Sequence, residues 1–179
     1  MGKTKKLALM ALLTAIALTI FVIENQIPTP VPVPGVKLGL ANIITLIAMK
    51  LLGKKEAGAV LLVRILMGAM FAGSPSTLLF SAAGGALAYL VMCLTLRFFG
   101  DDQLWIVSAL AGLAHNAGQL LACVLVVKTP GVLAYGPVLA ASGVITGVFT
   151  GLAAQYLLKA LLQRDKIRVL IQEEERSSI

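Results

Sequence analysis

Charged side chains are scarce in this sequence: Asp, Glu, Lys and Arg make up only 13% of its 179 residues, whereas 59% of the residues are hydrophobic. Soluble domains devote about a quarter of their residues to charge in order to cover their surface. A chain with so little charge needs a second apolar phase to face. The composition therefore excludes an ordinary soluble domain and predicts a protein embedded in a lipid bilayer.

The residue types that build catalytic and metal centres are also scarce. The sequence has one histidine, no GxxxxGK[ST] phosphate-binding motif, and two cysteines without CxxC spacing, Cys93 and Cys123. We therefore expect no metal, no cofactor, no nucleotide hydrolysis and no Ser-His-Asp triad in this chain. The net charge of +7 is spread between apolar runs without interleaved aromatic residues. This pattern argues against nucleic acid as a partner.

Long apolar runs stand in place of charge. A helix needs about 20 mostly apolar residues to cross the hydrocarbon core of a bilayer. Six such runs lie at about residues 6–23, 38–53, 56–73, 76–99, 103–127 and 136–162. The first has the basic start of a signal peptide, but no small-residue cleavage site follows it, so we interpret it as an uncleaved helix. We expect an all-α bundle of six transmembrane helices over residues 1–163 and a charged cytoplasmic tail over 164–179.

The distribution of lysine and arginine predicts the orientation of the bundle. Cytoplasmic loops of membrane proteins carry an excess of these residues. With the amino terminus inside, only Lys37 and Lys128 fall on the outer side, and Arg64 lies within a span. Both termini are therefore predicted to be cytoplasmic.

Proline is confined to the predicted outer side, and four of the seven prolines lie in the segment IPTPVPVPG at residues 27–35. Proline fixes φ and lacks an amide hydrogen, so this segment favours stiff extended chain. Two interpretations remain open. The segment either covers the outer mouth of the bundle as a rigid lid, or it is a stiff turn that only joins two helices.

Small residues at helical spacing predict close helix packing. The segment GVITGVFTG places Gly143, Gly147 and Gly151 on one stripe of the sixth span, and Ala11 and Ala15 form a shorter stripe on the first. In lipid, small side chains let helix backbones approach each other closely. We expect these stripes to pack mainly within the chain.

Polar side chains within or beside the apolar runs are the candidate functional residues, because such groups are costly at membrane depth. Glu24 pairing with Arg64 or Lys37 would be a purely structural explanation of the charges. Alternatively, the polar side chains converge beneath the proline segment as an outward-facing pocket for a small anionic or hydrogen-bond-rich molecule. The candidate residues are Glu24, Asn25, Lys37, Asn42, Arg64, His115, Asn116 and Gln119.

Several of these segments together carry a family resemblance. They are ENQIPTPVPVPGVKLGLANIITLIA, VRILMGAMFAGS, LLFSAAGG, AHNAGQLL and GPVLAASGVITG. In these segments the chain resembles the Gx transporter family, which is also called heptaprenyl diphosphate synthase component I. The resemblance covers nearly all six expected spans, and it is the combination of segments that is specific.

The same architecture is similar to the substrate-binding S-components of energy-coupling factor (ECF) transporters. The resemblance implies a small six-helix subunit of the bacterial cell membrane that binds a vitamin-like molecule near the outer face. In S-components an AxxxA stripe on the first helix docks on a transmembrane coupling subunit driven by cytoplasmic ATPases, and Ala11 and Ala15 match that stripe. Some family members are associated with flavin traffic, which makes a flavin a candidate ligand.

The older family name implies a different class, a membrane subunit for the synthesis of heptaprenyl diphosphate, an isoprenoid precursor of menaquinone. Prenyl elongation needs DDxxD motifs to hold magnesium and diphosphate. Asp101 and Asp102 have no third acid at that spacing, so we expect any synthase activity to reside in a partner subunit. A third possibility is a structural scaffold whose polar residues only pair with one another.

Overall fold

The computed structural model describes residues 2–27, 37–73, 75–128 and 130–177, and all regular secondary structure in these ranges is helical. The all-α prediction is therefore confirmed for this part of the chain. Short 3-10 helices at Asp101–Gln103 and Pro130–Tyr135 precede the last two α-helices. The α-helices are α1 (Lys3–Glu24), α2 (Asn42–Leu51), α3 (Lys54–Ala72), α4 (Pro75–Thr95), α5 (Leu104–Val127) and α6 (Gly136–Ser177).

Four stretches in the described ranges are long and apolar enough to cross a membrane. They are Lys3–Glu24, Pro75–Thr95, Asp101–Val126 and Pro130–Leu161. Helix α2 has only 10 residues, about 15 Å of helix against a hydrocarbon core of about 30 Å. Helix α3 has 19 residues, but its sequence includes Lys54, Lys55, Glu56 and Arg64. The described residues therefore include four membrane-capable helices, and the crossing of all six remains a prediction.

A sharp turn at Gly53 joins α2 to α3. Its φ of 102° lies in a region that glycine adopts without the steric cost that a Cβ would bring. In the first turn of α3, directly after Gly53, Glu56 pairs with Lys6 of α1. Lys50 of α2 pairs with Asp101 in the turn before α5. Lys6 and Lys50 therefore lie at the same end of the bundle, which we call the basic end.

Helices α4 and α6 pack along α5, and α2 contacts each of the other five α-helices. The contact between α5 and α6 depends on glycine. A Cβ on Gly112 would lie 2.2 Å from the carbonyl oxygen of Gly143, and one on Gly147 would lie 2.5 Å from the carbonyl oxygen of Ser108. The glycine stripe of the sixth span therefore packs on α5 of the same chain, and it fixes the side of α5 that faces α6.

Candidate polar site

Glu24 lies at the carboxyl end of α1, opposite the basic end, and its side chain is buried. Its Oε1 accepts hydrogen bonds from the backbone N–H groups of Gly39 at 2.5 Å and Leu40 at 3.2 Å. Residues 37–41 form the irregular chain that leads into α2; we call them the entry segment. Glu24 thus ties the end of α1 to the entry segment.

Two cations pack around Phe21, one helical turn before Glu24. The Nζ of Lys37 lies 3.3 Å from the centroid of the Phe21 ring, and the Cζ of Arg64 lies 5.8 Å from it. Both distances are within the range of cation–π attraction. Gly68 makes room for the ring, since a Cβ there would lie 2.9 Å from Phe21 Cε1. An aromatic face and a carboxylate therefore stabilise two buried cations.

Positive charge exceeds negative charge in this region. Glu24 interacts electrostatically with both Arg64 and Lys37, so one carboxylate faces two cations. Burial lowers the pKa of Lys37 from 10.5 to about 8, Arg64 lowers it further, and Glu24 opposes the shift. Lys37 interacts electrostatically with three ionisable groups, those of Glu24, Arg64 and His115. At neutral pH the site holds Lys37 in its charged form and would favour an anionic group.

Helix α5 contributes His115 and Gln119, which are both buried. Gln119 Oε1 accepts a hydrogen bond from the backbone N–H of Lys37 at 3.0 Å, and its Nε2 lies 3.0 Å from His115 Nε2. On the α4 side, a Cβ on Gly84 would lie 2.9 Å from both Gln119 Cγ and His115 Cε1. The glycine allows α5 to bring these two side chains against the entry segment.

Asn42 begins α2 and is also buried. A Cβ on Gly39 would lie 3.0 Å from Asn42 Nδ2 and 2.8 Å from His115 Cδ2. Asn42 and His115 therefore approach the entry segment from α2 and α5. The structure brings together six of the predicted residues, which we call the polar cluster: Glu24, Lys37, Asn42, Arg64, His115 and Gln119.

Two predicted residues lie outside the polar cluster. Asn25 follows α1 and is exposed. Asn116 is buried, but its Nδ2 donates to the carbonyl oxygen of Leu139 at 2.7 Å and to Ser142 Oγ at 3.2 Å. Asn116 faces α6 because it is one residue further round α5 than His115.

Sequence reasoning missed Phe21 and the role of the entry segment's backbone. Phe21 lies three residues before Glu24, a spacing that puts both on one face of a helix, so its part in the site could have been inferred. Thr146 of α6 donates to the carbonyl oxygen of Leu38 at 3.2 Å. No pattern in the sequence signals this contact, because the two residues are 108 positions apart.

Several buried polar atoms of this region have no hydrogen-bond partner within the described ranges. They include Lys37 Nζ, Asn42 Nδ2 and Asn116 Oδ1. Buried polar groups in folded proteins are nearly always hydrogen-bonded. These atoms therefore retain hydrogen-bonding capacity that the described residues do not use. The proline segment predicted as a lid spans residues 27–35, and all of it except Ile27 lies outside the described residues.

The alanine stripe of α1 lies on the surface, so the expectation that it packs within the chain is wrong for Ala11 and Ala15. Ala11 and Ala15 are both exposed, and so are the neighbouring side chains of Leu12 and Ile16. None of these four residues belongs to the polar cluster. The stripe leaves a flat apolar face of α1 open to lipid or to another protein.

Comparisons with known proteins agree with this architecture. A family model described as heptaprenyl diphosphate synthase component I matches residues 13–157. The curated proteins give no match to the chain. A solved structure, described as that of the S component of a bacterial ECF transporter, superposes with a TM-score of 0.64 and 18% identity, covering 94% of this chain and 99% of that one. At this level of identity the likeness shows a shared fold.

Proposed function

The chain belongs to the heptaprenyl diphosphate synthase component I family, also called the Gx transporter family, and from that premise we propose that it is a substrate-binding membrane transport subunit. In this proposal all six helices lie in the bacterial cell membrane with both termini cytoplasmic. The polar cluster then lies near the outer face and the basic end faces the cytoplasm, as the excess of lysine there favours.

The observation that carries the proposal is buried charge beside unpartnered polar atoms. Arg64 is 3% exposed and Lys37 is 7% exposed, and burying such groups costs several kcal/mol each. Glu24 offsets part of that cost. A self-sufficient scaffold would also pair the remaining groups, yet Lys37 Nζ and Asn42 Nδ2 have no hydrogen-bond partner in the described part of the chain. A bound molecule would satisfy them.

The charge and hydrogen-bonding groups of the site indicate the class of ligand. Two cations exceed one carboxylate, and Asn42 Nδ2, which has no hydrogen-bond partner in the described residues, can donate to a carbonyl group. A small anionic molecule with amide-like edges fits this set. Flavin mononucleotide has both features, whereas riboflavin has the same ring system without the phosphate. Comparing the two measures the preference for negative charge.

A binding titration on the purified protein tests the proposed site. Flavin mononucleotide, riboflavin and the cation thiamine are added, and binding is followed by flavin fluorescence or by calorimetry. Flavin mononucleotide should bind most tightly, and Arg64→Met and Lys37→Met should weaken its binding at least tenfold. The matched controls are Arg97→Met and Lys128→Met, since both residues are exposed.

Two amide substitutions complete the test of the site. Asn42→Ala should weaken binding, whereas Asn25→Ala should leave it unchanged because Asn25 is exposed. Unchanged affinity in both Arg64→Met and Asn42→Ala would refute the pocket.

Energy for transport would come from partner subunits. We assign the exposed face at Ala11 and Ala15 to docking on a transmembrane coupling subunit driven by cytoplasmic ATPases. Ala11→Leu with Ala15→Leu should abolish co-purification of such partners and leave ligand binding intact. Ala86→Leu with Ala117→Leu places the same bulk on other exposed helix faces and should leave the complex intact.

The family description supports a second candidate, a non-catalytic membrane subunit associated with isoprenoid synthesis. Asp101 and Asp102 are exposed on the 3-10 turn before α5, and Asp101 pairs with Lys50. A lone pair of this kind does not supply the carboxylates that magnesium diphosphate requires. Under this alternative a soluble prenyl diphosphate synthase co-purifies with the chain. Recovery with ATPases and a coupling subunit instead would exclude it.

A further inference from the structure

A second site lies at the basic end, in a groove between the beginnings of α1 and α3. The groove has a volume of about 450 Å³ and is separate from the polar cluster. Its lining combines three lysines and one glutamate with three apolar residues. These residues are Lys3, Lys6, Leu7, Met10, Lys55, Glu56 and Ala59.

The groove holds an excess of positive charge. Lys6 pairs with Glu56 across the groove, so the one carboxylate of the lining is already engaged. Lys3 and Lys55 are exposed, and no ion pair of either occurs within the described part of the chain. Two lysines therefore remain to bind an anion.

The backbone adds to this positive potential. Helix α1 begins at Lys3 and α3 begins at Lys54, so both helices present their amino-terminal ends to the same groove. The first amides of a helix have no acceptor within the helix, and the dipole places partial positive charge there. The two helix ends and the two lysines thus all contribute positive potential to the same groove.

The apolar part of the groove extends away from the lysines. Met10 lies seven residues after Lys3 on α1, about 10 Å along the axis, and Ala59 lies about 6 Å beyond Lys55 on α3. Leu7 lies between Lys3 and Met10 along α1, and its side chain is 65% exposed. The groove is therefore cationic at its rim and apolar towards the middle of the bundle.

We propose that this groove binds one anionic phospholipid, with the headgroup phosphodiester on Lys3 and Lys55 and the first acyl methylenes on Leu7, Met10 and Ala59. A phospholipid has a negatively charged headgroup followed by hydrocarbon chains. The groove has lysines at its rim followed by apolar side chains, so the two match in order. Basic pockets between helices on the cytoplasmic side of membrane proteins suit such headgroups. Lys3 and Met10 lie about a quarter of a turn round α1 from Ala11, whereas Leu7 lies four residues before Ala11 on the same helix face.

A second cavity at the same end provides the comparison. It has a volume of about 280 Å³, and its lining contains two lysines and two aspartates. Lys50 pairs with Asp101 there, and Lys159 accompanies Asp102. Because its charges balance, this cavity offers an anionic headgroup no net attraction. Substituting its lysines removes the same number of charges from the same end of the protein.

Native mass spectrometry of the full chain in detergent tests the proposal. The protein is titrated with phosphatidylglycerol or phosphatidylcholine, and the apparent Kd of the first bound lipid is measured. We expect phosphatidylglycerol to bind at one molecule per chain and more tightly than phosphatidylcholine. Each lysine contributes about five-fold in affinity at an anionic lipid surface. Lys3→Gln with Lys55→Gln should therefore weaken binding by about 25-fold.

Three controls decide the outcome. Lys3→Arg with Lys55→Arg should keep the binding, and Lys50→Gln with Lys159→Gln should leave it unchanged. Millimolar inorganic phosphate should not displace the lipid, because phosphate lacks the acyl chains. Equal affinity for the two lipids, wild-type affinity in the glutamine double variant, an equal loss in the Lys50 and Lys159 variant, or displacement by phosphate would each overturn the proposal. Circular dichroism confirms that every variant is folded.

Discussion

Replacing Glu24 by Gln removes the one negative charge of the polar cluster and keeps the size of the side chain. Glu24 Oε1 accepts from the N–H groups of Gly39 and Leu40, and the carboxylate faces Arg64 and Lys37. An amide oxygen can still accept both hydrogen bonds. The substitution therefore isolates the contribution of charge.

The expected loss of stability is about 3 kcal/mol. Each hydrogen bond that changes from a charged to a neutral acceptor loses about 1 kcal/mol. The loss from the cations is limited, because Lys37, with a pKa of about 8, can release its proton at pH 7 for about 1.4 kcal/mol. The total lies at the lower end of the range of about 3 to 5 kcal/mol for breaking a buried charge pair.

Thermal unfolding in detergent measures this effect. A loss of about 3 kcal/mol lowers the Tm of a chain of this length by about 6 to 12 °C. Glu56→Gln is the matched control, since Glu56 forms an ion pair with Lys6 near the surface and should change the Tm little. Adding Lys37→Met to Glu24→Gln should recover part of the loss. A Tm within about 1 °C of wild type for Glu24→Gln, or an equal fall for Glu56→Gln, would refute the reasoning.

Three further predictions concern packing, pH and the entry segment. Gly112→Ala should lower the free energy of unfolding by about 1 to 3 kcal/mol, because the added Cβ would lie 2.2 Å from a backbone oxygen. Gly136→Ala should be tolerated, because the nearest atom to its added Cβ is a side-chain carbon at 3.5 Å. Chemical unfolding of the two variants measures the difference. The folded-state pKa of Lys37 is depressed to about 8, so the unfolded state binds more protons above that pH, and stability should rise between pH 8 and about 10.5. A Lys37→Met variant measured over the same pH range should lack this rise, and an identical profile would contradict it. Gly39→Ala should weaken flavin mononucleotide binding in the same titration, because Gly39 has a φ of 80° and its Cβ would meet His115 Cδ2 at 2.8 Å; wild-type affinity would count against the geometry.

The sequence predicts the long helices because their apolar runs are continuous and their ends carry charge or proline. The start of α2 could not be predicted in this way. Leu38, Leu40 and Ala41 are as apolar as the helix that follows, so hydropathy places them in the same run. The positive φ of Gly39 and the capture of its N–H by Glu24 keep this segment irregular.

The candidate site shows the same division between local and distant contacts. His115 and Gln119 are four residues apart, a spacing that places both on one face of a helix. The hydrogen bond from the Lys37 backbone to Gln119 spans 82 positions. Such a contact depends on how α1, α2 and α5 pack, and neither spacing nor hydropathy contains that information. Asn116 is next to His115 in the sequence, but the helical rotation between them turns Asn116 towards α6.

The central claim is that the polar cluster holds a small molecule, and the molecule that accompanies the purified protein tests it most directly. Wild-type protein and the variants Arg64→Met and Arg97→Met are purified from membranes in parallel and denatured, and the released small molecules are quantified by mass spectrometry. The account predicts one polar or anionic molecule at about one per chain in wild type and Arg97→Met, and its depletion in Arg64→Met. The absence of any such molecule from wild type, or equal amounts in all three preparations, would contradict it.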